Sequence, residues 1–569
     1  MVRNSKIKYH IFIIILVAFT LVIPQLITRN MIMGSDSIFH FNRFYDTSQQ
    51  IKEKNFQYFI SMYGFEQSAR IVNALYSPYI AYIHGLIVLI SRSWFTYQVS
   101  SNFLLYILSG ISMYVFLLRA NIKNPFILYS SILYMTTYSV LYWVIRQGFS
   151  SWGAVVMPFC FSLIFELIQS NYKIPKFRLG IYLALALQVH MLSAFMITIA
   201  YLISFTFAFA KTTSKRGFIC DILREIIIFI LLTLNIWTSY FTILFCDYIT
   251  QPFINIDMNL STITQNSYYW LINPVFLLPI LVITLVYLPR NWKRFFDADK
   301  ILFIIMLVYL ILSTNLIPWN YLVKINFYLA QLIQFPFRFF IPATIILIYL
   351  FTKIFQDTKL KIDKHKLMKL IILISIIQVV TLVLFTLNTW NSKENFLKTG
   401  DKTVYLSKEF KYIKESFYDK DKSKSLALVS KGTADYLPDN FTSSKSISKY
   451  DVYEEEIIKI NPEFKKYVKN NSLIIEWKGN NQTNNIPIVT YKGTQLNLNN
   501  KKLIGENYSL SEIGSLNIKK DILNMENTLS VNYVDNIFTR MSIIFTPLSW
   551  LVFIILLLIE RRKNYEFRN

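Results

Sequence analysis

Cysteine is nearly absent from this chain. Cys160, Cys220 and Cys246 are its only three, an odd and widely spaced set in or beside apolar runs that builds neither a disulfide framework nor a zinc site. A Gly-rich phosphate loop is missing as well, and only 14 of 569 residues are glycine, which counts against a soluble nucleotide-sugar enzyme. No segment recurs at a fixed period. Acids are scarce beside bases: 34 Asp and Glu face 58 Lys and Arg, a formal net charge of +24. That excess falls largely in short segments between apolar runs, where the positive-inside rule places it. It reads as a topology signal, and no nucleic-acid partner is expected.

Long apolar runs are what the sequence has instead. The chain is 54% hydrophobic and 17% aromatic, with a mean hydropathy of +0.39, and its charge-free stretches repeatedly approach the ~20 residues that cross a bilayer. The first, Tyr9 to Thr28, follows Arg3, Lys6 and Lys8. It exceeds a signal-peptide core and lacks a small-residue cleavage site, so it reads as a retained helix. Further runs lie near 97–118, 125–145, 147–166, 226–246, 271–288, 300–318, 336–352, 370–390 and 542–559. The stretch 179–210 holds no Asp, Glu, Lys or Arg and is one long tilted helix or two helices turning at "QVHMLSA". Only a turn there keeps the basic segments around Lys173, Lys211, Arg290, Lys359 to Lys369 and Arg561 on the cytoplasmic side. The same count makes Pro78 to Ile90 dip into the membrane and return. The expected fold is an all-α polytopic membrane protein of about twelve transmembrane helices, both termini cytoplasmic.

Between residues 392 and 540 the composition turns to Lys, Asn, Ser and Asp, with alternating patches "SLIIEW", "IPIVTY" and "TQLNLNN" that read as strands. Three parts follow: a membrane domain 1–391, a small β-rich extracytoplasmic domain 392–540, and a final helix with a basic cytoplasmic tail, 541–569. The Asn-rich "KGNNQTNN" reads as a loop tip. This topology brings the loop Arg29 to Ser77, the turns at Arg146 and His190, the approach to Arg338 and the β-rich domain to the outer face.

Residues 34–43, "GSDSIFHFNR", carry an acid, an imidazole and a guanidinium just past the first apolar run. On a helix Asp36, His40 and Arg43 share one face; the same spacing suits an ordinary salt-bridged helix with Ser35 or Asp36 as its cap. His190 lies in a run too short for two full spans, so its turn lines a polar cavity or simply bonds a nearby carbonyl. Arg338 and Arg146 are phosphate ligands or interfacial anchors that snorkel to headgroups. The aromatics of 62–85 suit a membrane interface, with Glu66, Arg70 and His84 as further polar groups. No strong set of metal ligands is read, and a divalent metal stays open.

"GSDSIFHFNRF", "YSPYIAYIHGLIVLI", "VHMLSA" at a mid-chain turn, "LIQFPFRFF" entering a late helix and "GTADYLP" opening the β-rich domain together resemble a family of bacterial multispanning proteins. That family carries the pyruvoyl-tetrahydropterin-synthase-related membrane domain. It is similar in turn to C-type (GT-C) glycosyltransferases and to membrane proteins that glycosylate lipoteichoic acid. The resemblance implies sugar transfer from a polyprenyl-phosphate-linked donor to a glycolipid or cell-wall polymer acceptor, on the extracytoplasmic face of the bacterial plasma membrane. It maps the base onto Asp36. The departing phosphate needs cationic partners, for which Arg43, Arg146 and Arg338 are candidates; His190 would bond that phosphate or orient Asp36, His40 is a further substrate-binding candidate, and Glu66, Arg70, His84, Asp435 and Tyr436 are candidate acceptor contacts. The chain departs from its relatives at Trp152, where an acid often follows the arginine of the preceding turn. Two further classes fit many of the same features: a flippase for lipid-linked sugars or polysaccharides, and a catalytically silent scaffold for envelope assembly.

Overall fold

The computed structural model describes residues 2–250, 252–359, 361–393, 396–397, 402–440, 448–479 and 484–566. The Asn-rich loop expected around 480–483 lies outside the described residues. Apolar composition produces the helices α1 (Val2–Thr28), α2 (Ser37–Glu53), α3 (Pro78–Ile90), α4 (Trp94–Arg119), α5 (Phe126–Met135), α6 (Tyr138–Arg146), α7 (Ser150–Gln169), α8 (Arg178–Val189), α9 (Met191–Lys211) and α10 (Lys215–Cys246). Later helices span Leu277–Arg290, Asp297–Leu312, Phe340–Asp357, Lys364–Asn388 and Ile537–Glu566. Among the described residues, seven helices are long and apolar enough to cross a membrane. They include α1, α4, α7, α9 and the last one, which is largely unburied by protein and offers Leu551, Ile555 and Leu558 to its surroundings. The other stretches expected to cross fall on α10, on α8 and on 277–290 and 297–312, and the run 125–145 breaks into α5 and α6 at Thr136 and Thr137.

The stretch 179–210 does turn at His190. Residue contacts show the reversal: Glu166 of α7 meets Arg178 and Cys160 Sγ lies 3.5 Å from the Tyr182 carbonyl, so α8 runs against α7. Tyr201 then donates to the Cys160 carbonyl at 2.9 Å, and Gly153 sits against Ser193, so α9 runs with it. A side chain at Gly153 would strike Ser193 Oγ; the missing Cβ is what lets the turn press onto α7.

The strands expected in the β-rich domain are present. Ser472–Lys478, Thr494–Leu498 and Glu526–Tyr533 lie in a five-stranded antiparallel sheet with Lys465–Lys469 and Lys501–Lys502, while Asn485–Val489 joins a three-stranded sheet. Leu473, Ile475, Leu529 and Val531 are buried in strict alternation with less buried neighbours, so one face is packed and the other is not. Two shorter strands, β1 (Thr403–Tyr405) and β2 (Val429–Lys431), pair antiparallel with each other.

The hydrophobic cores cross the expected division at residue 392. Phe59, Ile60, Met62, Ile71 and Leu75 pack into the core of the β-rich domain, whereas Phe396, Ile413, Phe417 and Val429 pack into the core of the helical bundle. Loop 29–77 and the β-rich domain are therefore interlocked at one end of the bundle, below called the domain end.

Candidate functional site

Helix α2 is polar yet buried on nearly every side. A helix of this kind must satisfy its polar groups from within the protein, and here they hold the loop that follows. Asn42 Oδ1 accepts from the Phe65 N–H at 2.7 Å; Asp46 Oδ1 accepts from Tyr63 at 2.9 Å and Gly64 at 3.1 Å; Thr47 donates to the Ala81 carbonyl at 2.9 Å. Burial raises the Asp46 carboxyl to about 6. The loop needs this support because Phe65, Glu66 and Gln67 are all left-handed, with φ of 52, 57 and 51°, each disfavoured by roughly 1–2 kcal/mol.

At its other end, α2 starts beneath the turn after α6. Gln147 Oε1 accepts from the Gly34 N–H at 2.7 Å and from Ser37 Oγ at 2.5 Å, and a Cβ on Gly34 would collide with the Arg146 carbonyl. Asp36 occupies the N-cap position but makes no side-chain bond to the helix N–H groups. Its carboxylate is 46% exposed and meets Lys431 Nζ of β2 at 3.4 Å.

Two turns along the same helix, Arg43 is fully buried. It donates through Nε to Asn73 Oδ1 at 3.1 Å and through Nη2 to the Tyr76 carbonyl, and Nη1 lies 3.4 Å from His40 Nδ1. Its guanidinium stands 4.3 Å from the Tyr76 ring centre and 5.3 Å from that of Phe149. No carboxylate pairs with it among the described residues. Burial pulls its pKa down only to about 10, so it is a cation at neutral pH. His40 stacks on Phe149 with ring centres 5.0 Å apart.

His190 is the single extended residue between α8 and α9, with Nδ1 at 2.8 Å from Ser193 Oγ, and it lies within the fields of Arg338 and Arg43. Arg338 sits in the tight turn Pro336–Phe339, donating through Nη1 to the Ile333 carbonyl at 2.9 Å and Gln334 Oε1 at 3.0 Å. Its Nε is buried without a partner, and it too has no paired carboxylate among the described residues. Tyr76 and Tyr142 feel both Asp36 and Arg338, which places the acid and the cations around one region. Arg146 is exposed at the end of α6, beside the Tyr138 hydroxyl.

Glu66 and Arg70 lie at the junction with the β-rich domain. Arg70 is fully buried and donates to the Thr433 carbonyl at 3.1 Å, Thr433 Oγ1 at 2.9 Å and the Asp435 carbonyl at 2.5 Å. It thereby clamps the "GTADYLP" segment onto loop 29–77. Glu66 accepts from the Tyr453 hydroxyl at 2.8 Å, and burial raises its carboxyl above the usual range. Lys466 donates to the Glu66 carbonyl at 2.9 Å and the Pro487 carbonyl at 2.6 Å. The clamp carries Asp435 into the fields of Asp36 and Lys431 and brings Tyr436 within that of Arg43. Burial raises Asp435 also.

Sequence reasoning missed Lys431, Gln147 and Tyr76. Lys431 is one lysine among many, and no local pattern points to it. His84 bonds the Tyr97 hydroxyl at 2.9 Å and meets the Trp152 ring edge-on at 4.4 Å, so Trp152 fills an aromatic cluster under the site. Among the described residues no three His, Cys, Asp or Glu side chains are grouped to hold a metal ion. Compared with family models, curated proteins and solved structures, the chain finds no match.

Proposed function

We propose that this chain is a GT-C-like membrane glycosyltransferase that moves a sugar from a polyprenyl-phosphate donor to a glycolipid or envelope-polymer acceptor. The observation that carries this reading is Arg43: a fully buried cation with no carboxylate partner among the described residues, which shares His190 and Tyr76 as neighbours with a second cation, Arg338, that has none among them either. Unpaired buried charge is costly, and the phosphodiester of the donor, which becomes a phosphate monoester as the sugar leaves, supplies the missing countercharge with acceptors matched to guanidinium forks. The chain would cross the membrane about twelve times, with both termini cytoplasmic and the site outside the cell, where lipid-linked rather than nucleotide-linked sugars are present.

In this reading the acceptor oxygen forms a bond to the anomeric carbon while the bond from that carbon to the phosphate oxygen breaks with inversion. Asp36, half exposed and free of any capping bond, takes the hydroxyl proton. Polyprenyl phosphate leaves with the bonding electron pair and one more negative charge, stabilised by Arg43 and Arg338, with His190 beside them. Arg146, exposed at the end of α6, would serve the same phosphate or lipid headgroups. A flippase needs unsatisfied polar groups along the whole path; here the charged groups at the far end of the bundle are paired with each other.

The test is sugar analysis of glycolipids and envelope polymers in cells with wild type, a deletion or Asp36→Asn at matched protein level. Loss of one sugar substituent in both altered strains, with its lipid donor accumulating, is expected. Full recovery by Asp36→Asn would return the protein to the flippase or scaffold class.

A further inference from the structure

An aspartate at a helix N-cap ordinarily bonds the free N–H groups of the first turn, which contributes about 1 kcal/mol. Asp36 forgoes that bond. Its carboxylate turns instead to Lys431, whose Nζ lies 3.4 Å from Oδ1 and also donates to the Ser35 carbonyl. The lysine side chain is only 16% exposed and has no other ion-pair partner among the described residues. Its backbone is fixed by register, Lys431 opposite Thr403, and by the Gly432 N–H bonded to the Lys402 carbonyl at 2.8 Å. A rigid strand end thus presents an ammonium group to a carboxylate 395 positions earlier in the chain.

We infer that Lys431 is a positioning residue for Asp36, so that the proposed transfer site is complete only when strand β2 lies against α2. The inference rests on the transferase reading for its catalytic meaning and on geometry alone for the pairing. An aspartate half open to solvent samples several rotamers; a lysine holding Oδ1 and the adjacent Ser35 carbonyl selects one, leaving Oδ2 to accept the acceptor's proton. Misdirection of a reacting group by about 1 Å costs on the order of 100-fold in rate. Arg70 serves the same end from the other side, since its bonds to Thr433 and Asp435 fix the residues that follow Lys431.

Two measurements on the full-length protein in lipid nanodiscs test this. A zero-length carbodiimide should join Lys431 to Asp36 as an amide, seen by peptide mass spectrometry and lost in Asp36→Asn; no such cross-link in the wild type overturns the pairing, whatever the protein's activity. With a panel of radiolabelled polyprenyl-phosphate hexoses and N-acetylhexosamines, Lys431→Met should lower kcat on the order of 10- to 100-fold at unchanged donor KM, and Lys431→Arg should recover most of the loss. Unchanged kcat in Lys431→Met, or a loss that Lys431→Arg does not rescue, sinks the positioning role. Absence of transfer from every donor by the wild type would instead remove the transferase reading and leave the cross-link to decide the pairing.

Discussion

The two ends of the helical bundle treat arginine differently. At the end away from the β-rich domain, Glu166 reaches both Arg119, at 2.8 Å, and Arg178, while Glu225 meets Arg224 at 3.0 Å. Glu225 also accepts from the N–H groups of Phe177 at 2.8 Å and Gly180 at 3.0 Å, so it serves the start of α8 as well. At the domain end, Arg43, Arg338 and Arg70 bond neutral groups only among the described residues. At the far end the charges that hold the architecture are neutralised where they stand, since breaking such a pair leaves an uncompensated ion; at the domain end Arg70 holds its clamp through neutral acceptors instead. In the transferase reading, Arg43 and Arg338 differ from Arg70 in standing beside Asp36, where an anionic donor would complete the balance.

The contrast makes opposite predictions for the two ends. Arg43→Met should cut transfer by about 10²- to 10³-fold, the loss seen when one donor to a developing oxyanion is removed, while the folded fraction stays near wild type; activity in nanodiscs together with a thermal melt checks both. Glu166→Gln should do the reverse: a loss of roughly 3 kcal/mol in stability, visible as a lower melting temperature, with transfer per folded molecule retained. If the Arg43 variant melts far below the Glu166 variant, the distinction between structural and ligand-seeking charges fails.

The smallest effect concerns Asp46. Its folded-state pKa, raised to about 6 from 3.8, lies above the unfolded value, so the folded state binds more protons between those two pH values. Stability of loop 62–66 should therefore fall as pH rises from about 4 through about 6 and level off above. Hydrogen exchange of this loop against pH would show the slope, and Asp46→Asn should abolish it.

Much of the local structure was legible in the residues. The turn at His190 follows from a charge-free stretch too long for one ordinary span and from basic segments that must share a side; the strands at 472–478 and 494–498 follow from period-two alternation. The start of α2 at Ser37 was legible too, but its capping was not: Asp36 has the right residue type for a cap and is drawn elsewhere. The run 125–145 counted as one span, yet two threonines divide it. Glu66 and Arg70 look like free polar groups in the sequence; in the fold Glu66 is half-buried against Tyr453 and Arg70 is fully buried against the segment 433–435.

What the sequence determined by itself is everything that depends on neighbours along the chain: apolar helices, strand alternation, and the placing of an acid, an imidazole and an arginine on one short helix. Only the tertiary structure decided which charges are paired. Ion pairing and burial depend on distances of a few ångströms between segments hundreds of residues apart. No local pattern encodes that Glu166 is taken by two arginines, that Arg43 pairs with no carboxylate among the described residues, or that a lysine from strand β2 reaches Asp36.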